Sequence, residues 1–143
     1  MRERVEALAA FFDRFAPQDL PTLGEWYATG AAFKDPFNDV RGLPRIERVY
    51  SHMFEALTDP RFQVTSKLSE GDEAWLTWNF TLISRGSAVL VRGASHLKFG
   101  ADGKITEHRD YWDPAEELYE KAPVLGALMR WLRRRLSAPQ DPS

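Results

Sequence analysis

The chain has no cysteine among its 143 residues. Disulfides, thiolate nucleophiles and cysteine-ligated zinc are therefore excluded. No apolar run approaches the ~18 residues of a membrane span. Met1-Arg2-Glu3-Arg4 leads into an amphipathic pattern, not into the apolar stretch of a signal peptide. The expectations are a cytoplasmic location and no membrane contact. Net charge is also scarce: 19 Lys and Arg against 21 Asp and Glu leave −2, which gives no global electrostatic reason to expect a nucleic acid partner. Of the three histidines, His52, His96 and His108, no two have a zinc-binding spacing such as His-x-x-x-His. Gly24, Gly30 and Gly42 form no phosphate-binding signature. Neither a metal nor a cofactor is expected, and there is no internal repeat.

Aromatic residues, by contrast, are plentiful. They make up 13% of the chain, with five Trp, inside a hydrophobic content of 43%. A chain of this length can bury a real core without staples. Surplus indole then either fills that core or walls a cavity.

Val5, Leu8, Phe12 and Phe15 recur at helical spacing and predict a helix over residues 2–16, stopped by Pro17. Asp19 is placed to cap a second helix, with Leu20, Leu23, Trp26 and Tyr27 on its apolar side. Ala31 to Lys34 reads as a short extended piece. Asp35 precedes Pro36 and is therefore pushed out of the helical region. Residues 37–42 read as a loop. A third helix follows with Ile46, Val49, Tyr50, Met53, Phe54 and Leu57 as its stripe, ended by Asp59-Pro60.

From residue 62 the period changes to two. Residues 62–68, 73–84, 87–99 and 104–113 read as strands, separated by Gly71-Asp72, Arg85-Gly86-Ser87 and Ala101-Asp102-Gly103. The result is an antiparallel meander after helices, an α+β domain. Asp113-Pro114-Ala115-Glu116 carries the signals of a helix start. Leu125, Leu128, Met129, Leu132 and Leu136 mark a last helix beyond Pro123. Residues 1–122 thus form the main body, and 123–143 an arginine-rich amphipathic helix and tail belonging to the same single domain. Arg130, Arg133, Arg134 and Arg135 either favour the negative end of that helix or contact anionic lipid or an acidic partner.

Alternation on the last strand sets His108, Asp110 and Trp112 on one face and Glu107, Arg109 and Tyr111 on the other. An acidic residue at an abrupt strand end, Asp35, joins the first set as a candidate. Two carboxylates, an imidazole and an indole are the vocabulary of a small-molecule pocket with acid/base chemistry. Each has a plainer reading. Asp35 can end a strand by bonding nearby loop amides, and His108 with Asp110 can be a structural pair inside the sheet. Trp75, Trp78 and Trp112 read as core or pocket wall. His96 reads as an interface or surface residue.

Several short motifs, in order, carry a family resemblance: Ala31-Ala32-Phe33-Lys34-Asp35-Pro36-Phe37, Arg41-Gly42 before the third helix, and Asp102-Gly103-Lys104-Ile105 before the last strand. The chain resembles the nuclear transport factor 2-like superfamily in its SnoaL-like and ketosteroid isomerase-like branch. The resemblance implies a cone: a strongly curved, mostly antiparallel sheet around three N-terminal helices, with a pocket at the open end. It also implies a homodimer and a hydrophobic small molecule as partner.

In ketosteroid isomerases the base is an aspartate just before a proline, which Asp35 matches. Ungapped matching puts Phe11 and Ser95 where the oxyanion-hole tyrosine and aspartic acid stand, and neither can do the same job. The limonene epoxide hydrolases' Asp-Arg-Asp set is disfavoured, since Arg109 and Asp110 are strand neighbours pointing opposite ways. The implied catalytic residues are Asp35, His108 and Asp110. The implied ligand-binding residues are Phe11, Phe37, Phe54, Trp78, Phe80, Ser95, Leu97 and Trp112. The expected chemistry is cofactor-independent and of isomerase, cyclase or dehydratase type. Asp35 would take a proton next to a carbonyl, and His108 or Ser95 would stabilise the enolate oxygen. The rival reading is a non-catalytic ligand-binding or interaction domain.

Overall fold

The computed structural model describes residues 1–113, 131 and 133–140. Its elements run α1 (Arg2–Asp13), a 3₁₀ helix (Pro17–Glu25), β1 (Tyr27–Lys34), β2 (Asp39–Arg41), α2 (Leu43–Ala56), β3 (Thr58–Glu70), β4 (Glu73–Ser84), β5 (Ser87–Phe99) and β6 (Ile105–Tyr111). The six strands form one curved sheet in the order β2-β1-β6-β5-β4-β3. All pairings are antiparallel except β1 with β6, which is parallel. The expected α+β meander is present, and the two helices pack on the inner face of the sheet.

The differences from expectation have local causes. The second of the three expected helices is a 3₁₀ segment containing Pro21, and Asp19 accepts a hydrogen bond from the Ala16 N–H at 3.0 Å. Tyr27 does not belong to it; it opens β1, a strand longer than the Ala31–Lys34 piece. The stretch read as a loop holds β2, because Asp35 N–H donates to the Asn38 carbonyl at 2.9 Å and turns the chain back on β1. Pro60 lies within β3, where its missing N–H is tolerated because β3 is the sheet edge. Gly42 precedes α2 at φ 101°, a conformation that disfavours side chains. The expected helix start at Asp113-Pro114 and most of the last helix, Arg130 included, lie outside the described residues; residues 133–136 are helical.

Period-two burial builds the interior. Leu76, Trp78, Phe80 and Leu82 of β4 face inward, as do Val89, Val91, Ser95, Leu97 and Phe99 of β5. α1 closes them with Val5, Leu8, Phe11 and Phe12, and α2 with Ile46, Val49, Tyr50 and Met53. Each such side chain contributes roughly 1.5–3 kcal/mol through burial. Trp75 departs from the expected core or wall position. It stands on the outer face, 44% exposed, stacked on His96 at 4.1 Å.

Candidate active site

The inner face of β6 carries His108 and Asp110, and their strand partners determine what meets them. Leu97 and Ser95 of β5 lie opposite His108 and Asp110 respectively, while Phe33 of β1 lies beside His108. Side chains this close across a ladder interact directly. The Ser95 hydroxyl donates to Asp110 Oδ1 at 2.5 Å, and Trp78 Nε1–H donates to Ser95 Oγ at 2.9 Å. His108 Nε2 lies 2.6 Å from the same carboxylate oxygen, and Nδ1 lies 2.7 Å from the Tyr27 hydroxyl. Tyr27 in turn meets the Tyr50 hydroxyl at 2.8 Å.

With a neutral imidazole, one arrangement of hydrogens satisfies this chain. A carboxylate only accepts, so His108 donates from Nε2 and accepts at Nδ1. Tyr27 then donates to His108, and Tyr50 donates to Tyr27. Burial pushes both phenols above their ordinary range, so both remain protonated. Every donor in the chain runs toward Asp110.

Asp35 stands across the cavity at the end of β1. Its Oδ1 accepts from the Phe37 N–H at 2.8 Å and the Asn38 N–H at 2.6 Å. The loop-amide reading of Asp35 is thus satisfied, yet the carboxyl also lines the cavity. Burial, and after it the Asp110 charge, push its pKa from 3.8 up to about 6. The hydrogen bonds from Phe37 and Asn38 oppose the rise.

The cavity has two compartments. The smaller, ≈ 20 Å³, touches Ser95, Leu97, His108 and Asp110; the larger, ≈ 60 Å³, touches Asp35, Asn38, Phe80, Asp110, Trp112 and Leu136. Tyr50, Phe62, Trp78 and Asp110 line both. At ~10–15 Å³ per water, this is room for a handful of waters or one small molecule. Among the described residues, no lysine or arginine lines either compartment. Asn38 also holds the C-terminal segment over the larger one. Its Nδ2 donates to the Leu136 carbonyl at 2.8 Å, and its Oδ1 accepts from the Ala138 N–H at 2.8 Å.

Asp35, Trp78, Phe80, Ser95, Leu97, His108, Asp110 and Trp112 therefore meet at one cavity. Three expected ligand-binding residues do not. Phe11 turns into a cluster with Phe12, Phe15 and Trp26, and Phe12, one residue on, lines the cavity instead. Phe54 packs on Phe15 beside an outer groove, and Phe37 packs on Trp112. The two groups expected to stabilise an enolate oxygen, His108 Nε2 and the Ser95 hydroxyl, both face the Asp110 carboxylate in this structure. Tyr27 and Tyr50 were missed as site residues; each looked like one more apolar position on a helical stripe. Arg109 points outward over the Tyr111 ring, so no Asp-Arg-Asp set forms around Asp110.

No functionally curated protein matches the chain. Solved structures do, at identities that establish likeness of fold. A Catenulispora acidiphila protein of ketosteroid isomerase-like fold, crystallised with trimethylamine, is 21% identical; the match covers 82% of this chain and 90% of that one, with a TM-score of 0.67. A candidate SnoaL-like polyketide cyclase from Jannaschia sp. CCS1 is 20% identical over 97% and 94% of the two chains, TM-score 0.68. An epoxide hydrolase of limonene-hydrolase type from M. tuberculosis is 19% identical over 90% and 96%, TM-score 0.69. The SnoaL-like domain model matches residues 8–108, from within α1 to His108. This chain belongs to the SnoaL-like domain family.

Proposed function

We propose that the cavity binds a small hydrophobic molecule and moves a proton on it without a cofactor, chemistry of the isomerase, cyclase or dehydratase kind. One observation carries the reading: two carboxyl groups, Asp35 and Asp110, share an apolar chamber, and one of them is held at a pKa of about 6. A general base works best when its pKa lies near the working pH. Asp35 fits that role. Asp110, fixed by Ser95 and His108, supplies the neighbouring negative charge that keeps Asp35 basic. The small chamber agrees in scale with the trimethylamine bound by the Catenulispora protein of this fold.

The test begins with mass spectrometry of small molecules extracted from the purified protein. Deuterium exchange into the recovered compound is then followed in heavy water. Asp110→Asn is expected to slow exchange ~100-fold or more. It should also shift the Asp35 carboxyl titration, read by ¹³C NMR, to lower pH. An Asp35 titration that stays put in the variant removes the coupled-carboxyl mechanism.

We further propose that the chain pairs as a homodimer through the outer face of the sheet. Leu68, Trp75, Leu90 and Tyr111 stand exposed there, 75%, 44%, 46% and 44% respectively. Such exposed apolar groups mark association surfaces. Sedimentation should give a dimer for the native chain and a monomer for Trp75→Glu; a monomer for both discards the idea.

A further inference from the structure

The chamber has a marked asymmetry in its hydrogen-bonding groups. With His108 neutral, five described side-chain donors at or just behind its walls are directed inside the protein. Trp78 donates to Ser95, Ser95 and His108 to Asp110, Tyr27 to His108, and Tyr50 to Tyr27. The Asn38 amide is spent on Asp35 and on the Leu136 carbonyl. What remains turned to the space is acceptor capacity: lone pairs on the two carboxyl groups and on Tyr50. These five donors are thus not offered to the oxygen of a neutral carbonyl ligand.

The walls add a second, independent preference. The larger compartment is ringed by Phe33, Tyr50, Phe62, Trp78 and Trp112. Aromatic faces carry negative potential and attract a cation lying within about 6 Å. The same faces disfavour an anion. Two carboxyl groups and aromatic walls, with no lining lysine or arginine among the described residues, favour a positive guest over a negative one. A buried charge is normally paired, and here the ligand can be the pair.

We propose that the ligand of this chamber is a small organic cation, an alkylammonium compound with a compact apolar body, held over the aromatic faces with its charge toward Asp35 and Asp110. The inference rests on reading the chamber as a ligand site and names the chemical class of its occupant. Such a ligand also needs no oxyanion donor. Removing a proton from a cationic ligand leaves a neutral product, with no new negative charge to stabilise: the proton passes to a carboxylate, and the electron pair stays on the ligand.

Three compact probes of related shape separate charge from size: trimethylammonium, tert-butanol and pivalate. Each is titrated into the full chain at neutral pH, with indole N–H signals followed by NMR and affinity measured by calorimetry. Trimethylammonium is expected to bind at least tenfold more tightly than tert-butanol, with pivalate weakest. Asp110→Asn should reduce that preference severalfold. Equal binding of cation and alcohol, or tighter binding of pivalate, overturns the charge assignment and leaves the ligand chamber standing. If no probe perturbs the Trp78 or Trp112 indole, both the ligand class and the chamber reading fall. The comparison on the unaltered protein decides the matter even if the variant does not fold.

Discussion

Replacing Gly93 with alanine is expected to destabilise the protein by about 2–4 kcal/mol, from overpacking and a lost buried hydrogen bond. Gly93 and Trp78 face each other across β4 and β5. The indole lies flat over the glycine: a Cβ there would stand 2.6 Å from Trp78 Cζ2 and 2.9 Å from Cζ3, and nearer still to Cη2. No real pair of atoms tolerates such spacing, so the ring must move. It is 93% buried, wedged near Phe62, and tied through Nε1 to Ser95. Any swing breaks that tie and drives the indole toward the only nearby space described, the chamber. Urea unfolding gives the energy, and the probe titrations above give the second readout, which should show binding abolished. A stability change below ~0.5 kcal/mol would mean that the indole yields freely and that the wall is not packed as described.

Asp35 should make the protein less stable as pH rises from about 4 to about 6. Its folded-state pKa lies above the unfolded value of 3.8. Below that value the group is protonated in both states and adds no penalty. Between 3.8 and about 6 the unfolded chain ionises while the folded one resists, so folding loses free energy. Above about 6 the loss is complete, on the order of 2–3 kcal/mol at ~1.4 kcal/mol per pKa unit. Asp35→Asn removes the titration while keeping an oxygen for the Phe37 and Asn38 N–H groups. The variant should therefore match the parent near pH 4 and exceed it by roughly 1–2 kcal/mol near pH 7, some gain being lost to crowding between two amide groups. Urea melts across this range measure the gap. A gap that does not change with pH would mean that Asp35 titrates normally and is not the strained group of the site.

The sheet was legible because alternation survives through β4 and β5 and, past an irregularity near Ile105, along the rest of β6, so the face shared by His108, Asp110 and Trp112 follows from counting. Asp35 was legible through the proline after it. What escaped was whatever depends on rotation or on elements meeting in space. Phe11 and Phe12 differ by one residue, about 100° around a helix, and an ungapped match cannot resolve that angle. Tyr27 follows Leu23 and Trp26 at spacings a helix would also use, so the start of β1 was hidden. The chain from Trp78 to Tyr50 runs through β4, β5, β6, β1 and α2, and no local pattern announces a path that visits five elements.

One amide links two things usually kept apart. Asn38 grips the Asp35 carboxyl with the same nitrogen that holds the backbone of Leu136, while its oxygen secures Ala138. Anything that tugs at residues 136–138, such as a fused partner, an antibody or a surface tether, thereby reaches the acid through a single side chain. Residues 136–138 and a carboxyl about a hundred positions earlier in the chain thus share one side chain as their common anchor.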